Sequence, residues 1–314
     1  MMVRSSMSAL LVGSLLLSAC SSQKKAASQK NVASMENQFP AFDSEAHRGG
    51  RGLKPENTIP AMKNAIDIGV TTLEMDANIT KDLKVVVSHD QYMNPDISTA
   101  PDGTPVTRQQ VKDLLLYQMN YADIVKYDVG MRGNPNFPQQ EKMKVNKPLL
   151  SDLIQAVEKY TQQEGVAPKW YNIETKSSAK YDGVRNPKPE QFVALLMKVV
   201  IDNGIVDRTV IQSFDKRTLQ VLHKKFPAVK TSFLIGDNNK KSLDENIKDL
   251  GFTPFILSPD YKLVTPALVK ACHDKGVKIV PWTVNDKAKI QELKDMGVDG
   301  IISDYPNYFK ELGM

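Results

Sequence analysis

Extended backbone sends alternate side chains to the same side, so the stretch TTLEMDANIT places Glu74, Asp76 and Asn78 on one face and Leu73, Met75 and Ile79 on the other. The apolar face can meet helices. The other face then holds two carboxylates side by side, which are costly to bury unless a cation neutralises them. The same spacing returns in NIETK, where Glu174 and Lys176 share a face opposite Ile173. Glu74, Asp76 and Glu174 offer only oxygen, a donor set that suits one divalent cation, Ca2+ or Mg2+, and not zinc, which draws histidine or cysteine. The alternative is a set of internal salt bridges to Lys176 or Arg48 with no metal.

The chain has four histidines. His47 ends one predicted strand, and His89 ends another, KVVVSHD, expected beside the strand that bears Glu74 and Asp76. Two imidazoles at one site can divide general base and general acid work near neutral pH. The other reading is a pair of hydrogen-bonded structural histidines at strand ends. Asp90 is either an orienting partner of His89 or a turn residue. His223 and His273 fall in helical stretches and are assigned no chemistry. In HRGGRGLKPENT, residues 47–58, Arg48 suits phosphate oxygens, the glycines allow a close backbone turn, and Asn57 or Thr58 can cap a helix from Ile59. Glu56 is read as structural. With Lys176, Arg48 makes the composite site fit an anionic substrate.

The elements that must position these residues can be counted. The chain has 314 residues, 41% hydrophobic and 25% charged, an ordinary globular composition. Strand patterns fall at 42–47, 72–79, 85–89, 170–175, 209–214, 231–235, 255–257, 279–284 and 300–303. Only five residues separate the second from the third, too few for a parallel crossover, so the third returns as a hairpin partner. Eight strands remain, alternating with helical stretches such as Ile59, Met62 and Ile66 before Gly69, or Val193, Leu196, Met197 and Val200 before Gly204. That predicts an α/β fold, a (β/α)8 TIM barrel. An insertion at about 91–148 follows the hairpin, with one helix begun by Thr107 and Gln110 in capping-box spacing, and reads as a lid.

Three segments are expected. Residues 1–19 form a signal peptide, whose end, Leu17-Ser18-Ala19-Cys20, resembles the lipobox of bacterial lipoprotein precursors, with Cys20 as the lipidated residue. A secretory signal with a coincidental cysteine is the alternative. Residues 20–40, rich in Ser, Lys, Gln, Ala and Asn, form a flexible tether, and 41–314 the barrel domain. The expected location is outside the cytoplasm, lipid-anchored to the bacterial envelope, most simply to the outer membrane facing the periplasm. Membrane contact would then run through the anchor. Cys272 is the only other cysteine, so no internal disulfide is available. The net charge of +5 is interspersed and forms no basic block, which argues against a nucleic-acid partner.

HRGGRGLKPENT, LEMDANITKDLKVVVSHD and NIETK are followed by QSFD at 212–215, PWTVND at 281–286 and DGIISDYP at 299–306. Together they resemble the glycerophosphodiester phosphodiesterase family over nearly all of the chain after the tether. The resemblance implies a (β/α)8 barrel, Ca2+ or Mg2+ on Glu74, Asp76 and Glu174, and a catalytic pair, His47 and His89. It implies metal-dependent hydrolysis of small glycerophosphodiesters to glycerol 3-phosphate and an alcohol. Arg48, Lys176 and Trp282 are the expected substrate contacts, Trp282 packing on glycerol or else serving as core. The rivals are a lysophospholipid or inositol-lipid phosphodiesterase and a non-catalytic lipid-anchored binding protein, which would not need paired acid-base groups. Headgroup, attack by water or by the glycerol 2-hydroxyl, and oligomeric state are left open.

Overall fold

The computed structural model describes residues 38–314. The expected signal peptide, Cys20 and most of the expected tether lie outside the described residues. The first half of the barrel runs β1 (Asp43–Ala46), α1 (Ile59–Ile68), β2 (Thr72–Ile79), β3 (Val85–Val87), α2 (Tyr121–Ile124), α3 (Leu150–Glu164), β4 (Trp170–Thr175) and α4 (Pro189–Asp202). The second runs β5 (Thr209–Ser213), α5 (Lys216–Lys225), β6 (Lys230–Ile235), α6 (Leu243–Leu250), β7 (Ile256–Pro259), α7 (Pro266–Asp274), β8 (Lys278–Ile279), α8 (Lys287–Asp295), β9 (Gly300–Ser303) and α9 (Asn307–Glu311).

Eight strands lie parallel in the order β8, β7, β6, β5, β4, β2, β1, β9, and β3 pairs antiparallel with β2 alone. The two ends of that order meet. Asp299 N–H donates to the Ile279 carbonyl at 2.9 Å, Ile302 N–H to that of Pro281 at 3.0 Å, and Val284 N–H to that of Ile302 at 2.9 Å. The ring is a (β/α)8 TIM barrel. The eighth strand is shorter than its sequence pattern suggests because Pro281 has no N–H to donate to a ladder.

Alternation divides β2 and β4 as the sequence predicts, and β5 follows the same rule. Leu73, Met75, Ile173 and Ile211 join Ile154, Val193 and Leu196 of the helices in one buried apolar cluster. Full burial of such a side chain stabilises by about 1.5–3 kcal/mol. Glu74, Asn172, Glu174 and Gln212, on the other face of β2, β4 and β5, are also buried. Thr58 caps α1, accepting from the Ala61 N–H at 3.3 Å, and Gly69 ends that helix at φ 101°.

The insertion has a small apolar cluster of its own, Val86, Met93, Val106, Leu116 and Ile124, attached through β3. Thr107 and Gln110 do form a capping box, but it opens a 3-10 turn, Arg108–Asp113, and not an α-helix. None of those six residues is buried, so no packed face sustains a longer helix.

Candidate active site

Parallel pairing sets Asp76 level with Glu174, and Glu174 level with Gln212. Glu74, Asp76 and Glu174 each offer a carboxylate oxygen, and these atoms lie within 4.8 Å of one another. Glu74 accepts the Arg48 N–H at 2.7 Å and the Gln212 amide at 2.8 Å. Asp76 accepts from Asn57 Nδ2 at 2.8 Å and donates its own N–H back to Asn57 Oδ1 at 3.1 Å. Lys176 Nζ donates to Glu174 at 2.9 Å and stands 3.6 Å from Asp76 Oδ1.

The salt bridges expected as the metal-free alternative therefore exist, yet they leave the cluster short of cations. Arg48 is shared between Glu56 at 3.1 Å and Asp76 at 3.4 Å. Asp76 Oδ1 is buried without a hydrogen-bond partner. Burial and then the Asp76 carboxylate push Glu74 well above the usual carboxylate range, and burial pushes Glu174 up against the pull of Lys176. Asp76 stays low despite its burial because Lys176 and Arg48 face it. Converging hard oxygen donors, one of them buried without a hydrogen bond, fit a divalent cation.

His47 and Arg48 leave β1 in a tight turn. Arg48 at φ 53° and Gly49 at φ 78° are both left-handed, and a Cβ on Gly49 would fall 2.9 Å from that of Ala61. The turn drives the Arg48 N–H onto Glu74 while the Asn57 N–H closes on the Arg48 carbonyl at 2.9 Å. His47 Nδ1 meets Asp304 Oδ1 at 2.5 Å. Burial holds His47 down to about 4, so it is neutral at pH 7. Asp304, itself buried, is kept low by His47 and Arg51.

His89 follows β3. Asn78, the third residue on the Glu74 face, donates to the Ser88 carbonyl at 2.6 Å and so pins this segment to β2. His89 Nδ1 lies 3.2 Å from Asp90 Oδ1, and Asn94 steadies the other Asp90 oxygen at 2.8 Å. Asp90 sits at about 2, its burial outweighed by His89 and Lys147. Each histidine therefore turns Nδ1 to a carboxylate.

Both rings line one cavity of about 140 Å3, with Arg48, Glu74, Glu174, Lys176, Phe214 and Trp282 among its walls. Trp282 Nε1 donates to the Ser258 carbonyl at 2.9 Å, and its ring meets exposed Phe214 edge to face at 5.4 Å. Of the site residues expected within the described part, only Asp76 does not line the cavity; it is held by Asn57 and Arg48. His223 stacks on Phe252, and His273 Nε2 bonds Asp299 at 2.9 Å, away from this cavity.

Sequence reasoning missed the groups that orient the site: Asp304 under His47, Asn57 on Asp76, Gln212 on Glu74, and Arg51. Asp304 and Gln212 lie within the motifs DGIISDYP and QSFD, at or just past strand ends that open on the same mouth, and this position was the available signal.

The sequence model of the "Glycerophosphoryl diester phosphodiesterase family" matches residues 47–308. A glycerophosphodiester phosphodiesterase of Bacillus subtilis (strain 168) is 30% identical over 273 residues, 85% of each chain. A crystal structure from Silicibacter pomeroyi DSS-3 superposes with a TM-score of 0.76 at 28% identity, covering 88% of this chain and 95% of that one. An Oleispira antarctica phosphodiesterase, solved with its product sn-glycerol-3-phosphate, shares the fold with a TM-score of 0.67 at 21% identity, over 86% and 95% of the two chains. With the family match spanning the barrel from the first histidine of the site to beyond Asp304, this chain belongs to the glycerophosphoryl diester phosphodiesterase family.

Proposed function

We propose that the protein hydrolyses glycerophosphodiesters to glycerol 3-phosphate and an alcohol, with Glu74, Asp76 and Glu174 holding one Ca2+ or Mg2+ and His47 and His89 exchanging protons with substrate. The observation that carries this reading is the pair of carboxylate-backed imidazoles opening on one cavity beside three converging carboxylates.

When bound, the cation supplies positive charge that stabilises charge developing on the phosphoryl oxygens. Lys176, which lines the cavity beside Glu174, adds a second positive group for the phosphate, and Arg48 lines the same cavity. His47 rests neutral with Nδ1 turned to ionised Asp304, which leaves Nε2 free to accept the nucleophile's proton. His89, about one third exposed, then gives a proton to the leaving alkoxide. Trp282 and Phe214 form an apolar wall on which the glycerol carbons can pack. The same wall favours a second reading, in which lysophospholipids are cleaved. Export and anchoring through Cys20 belong to this proposal as the setting of the reaction.

The test is release of glycerol 3-phosphate from glycerophosphocholine before and after chelation and metal return. Release should vanish with the chelator, return with the ion, and fall about 100-fold or more in His47→Ala. Faster turnover of lysophospholipid would favour the second reading. A folded protein that cleaves neither class would overturn this reading in favour of an inositol-lipid phosphodiesterase or a binding protein.

A further inference from the structure

Arg51 lines the cavity beside His47, and the chemistry above gives it no task. Its Nε donates to Asp304 Oδ1 at 2.7 Å, the same oxygen that His47 Nδ1 approaches at 2.5 Å. Asn285 donates to the other Asp304 oxygen at 2.7 Å. Asp304 is thus fixed from three sides, and Arg51 is the cationic member.

The insertion grips Arg51 at both ends. Gln140 Nε2 donates to the Arg51 carbonyl at 2.7 Å, and the Phe137 ring lies 4.8 Å from the guanidinium carbon. Phe137 in turn packs edge-on against Tyr305, next to Asp304, with centroids 6.3 Å apart. The Glu141 N–H bonds the Leu53 carbonyl at 2.9 Å, and the Glu141 carboxylate pairs with Lys54. A guanidinium held on an aromatic face with its Nε committed keeps little freedom.

We propose that Arg51 is a positioning residue for His47: clamped by Phe137 and Gln140 of the insertion, it fixes Asp304, and Asp304 fixes the imidazole with its second nitrogen toward the cavity. The inference rests on the acid-base role given to His47. A direct substrate contact by Arg51 would act on KM, and a purely structural strut on stability alone.

The charged groups that act most on His47 are Asp304 from the end of β9 and Arg48 and Arg51 from its own loop. Removing the Arg51 charge therefore favours the imidazolium. One arm of the test needs no turnover: histidine ring signals are titrated by NMR in the wild type, Arg51→Met, Arg51→Lys and Phe137→Ala, with His47→Ala to assign the signal. The His47 midpoint should rise in Arg51→Met, stay near the wild-type value in Arg51→Lys, and fall between these in Phe137→Ala. In the second arm, on whichever diester the wild type cleaves, kcat of Arg51→Met should drop about 10- to 100-fold with KM little changed, and Arg51→Lys should recover most of it. A wild type without diesterase activity would defeat the functional reading and leave the titration to decide whether Arg51 holds His47. A folded Arg51→Met whose His47 titrates as in the wild type, or whose loss falls on KM, overturns the proposal. A wild-type titration in Phe137→Ala overturns the insertion's share in it.

Discussion

His47 is neutral at pH 7 because of where it sits. Burial, only partly offset by Asp304 and reinforced by Arg48, lowers its pKa from 6.5 to about 4. Between those values the unfolded chain binds a proton that the folded chain refuses, so stability rises with pH across this window. The penalty is absent above about pH 6.5 and complete near pH 4, where it amounts to about 3 kcal/mol. Urea unfolding of the wild type and His47→Asn at pH 7 and pH 4.5 measures it. The wild type should lose more stability on acidification than the variant, and equal losses would place the imidazole in a wetter setting than the structure gives it. His47 itself was legible in the sequence because HRG is a local signal. Its partner was not, since Asp304 lies 257 residues away and nothing local marks it as the residue that meets an imidazole.

At the scale of elements, the loop after β1 and the segment after β9 interlock through Gly52. A Cβ there would fall 2.5 Å from the Tyr305 ring and 2.8 Å from the Asp304 carbonyl, which already accepts the Gly52 N–H at 2.9 Å. Gly52→Ala should therefore cost about 1–3 kcal/mol, read as a lowered thermal midpoint, and an unchanged midpoint would show that both Tyr305 and the Asp304 backbone can give way. The sequence announced a tight turn here but not its neighbour, which only the closed ring supplies. The strands were legible because alternation writes both faces of β2 and β4 into the chain. The helix expected after Thr107 was not, because a capping box reports a start while helix length depends on a buried face that the segment lacks.

For the whole molecule, the ring gathers Glu74, Asp76 and Glu174 from two neighbouring strands, and the cation proposed there would relieve the repulsion that Lys176 and Arg48 leave. Calcium or magnesium should raise the thermal midpoint and chelation lower it. The gain reaches about 4 kcal/mol when the ion is at a thousand times its Kd. Glu174→Gln should show a smaller gain, and a midpoint indifferent to both ions in the wild type would argue that Lys176 and Arg48 suffice. This much of the architecture could be counted from eight strands and a hairpin. The way the ring closes could not, because β8 is cut short by Pro281 and the last contacts are single hydrogen bonds.

That closure also orders events in time. Asp304 and Asn285 both lie just beyond the hydrogen bonds that join the last two strands, whereas His47 comes immediately after the first. During synthesis the imidazole emerges 257 residues ahead of the carboxylate that backs it. A polypeptide that stops short of β9 carries Glu74, Asp76 and Glu174 and still lacks the backed histidine. The backed histidine thus forms only once the segment after β9 has docked against the loop after β1.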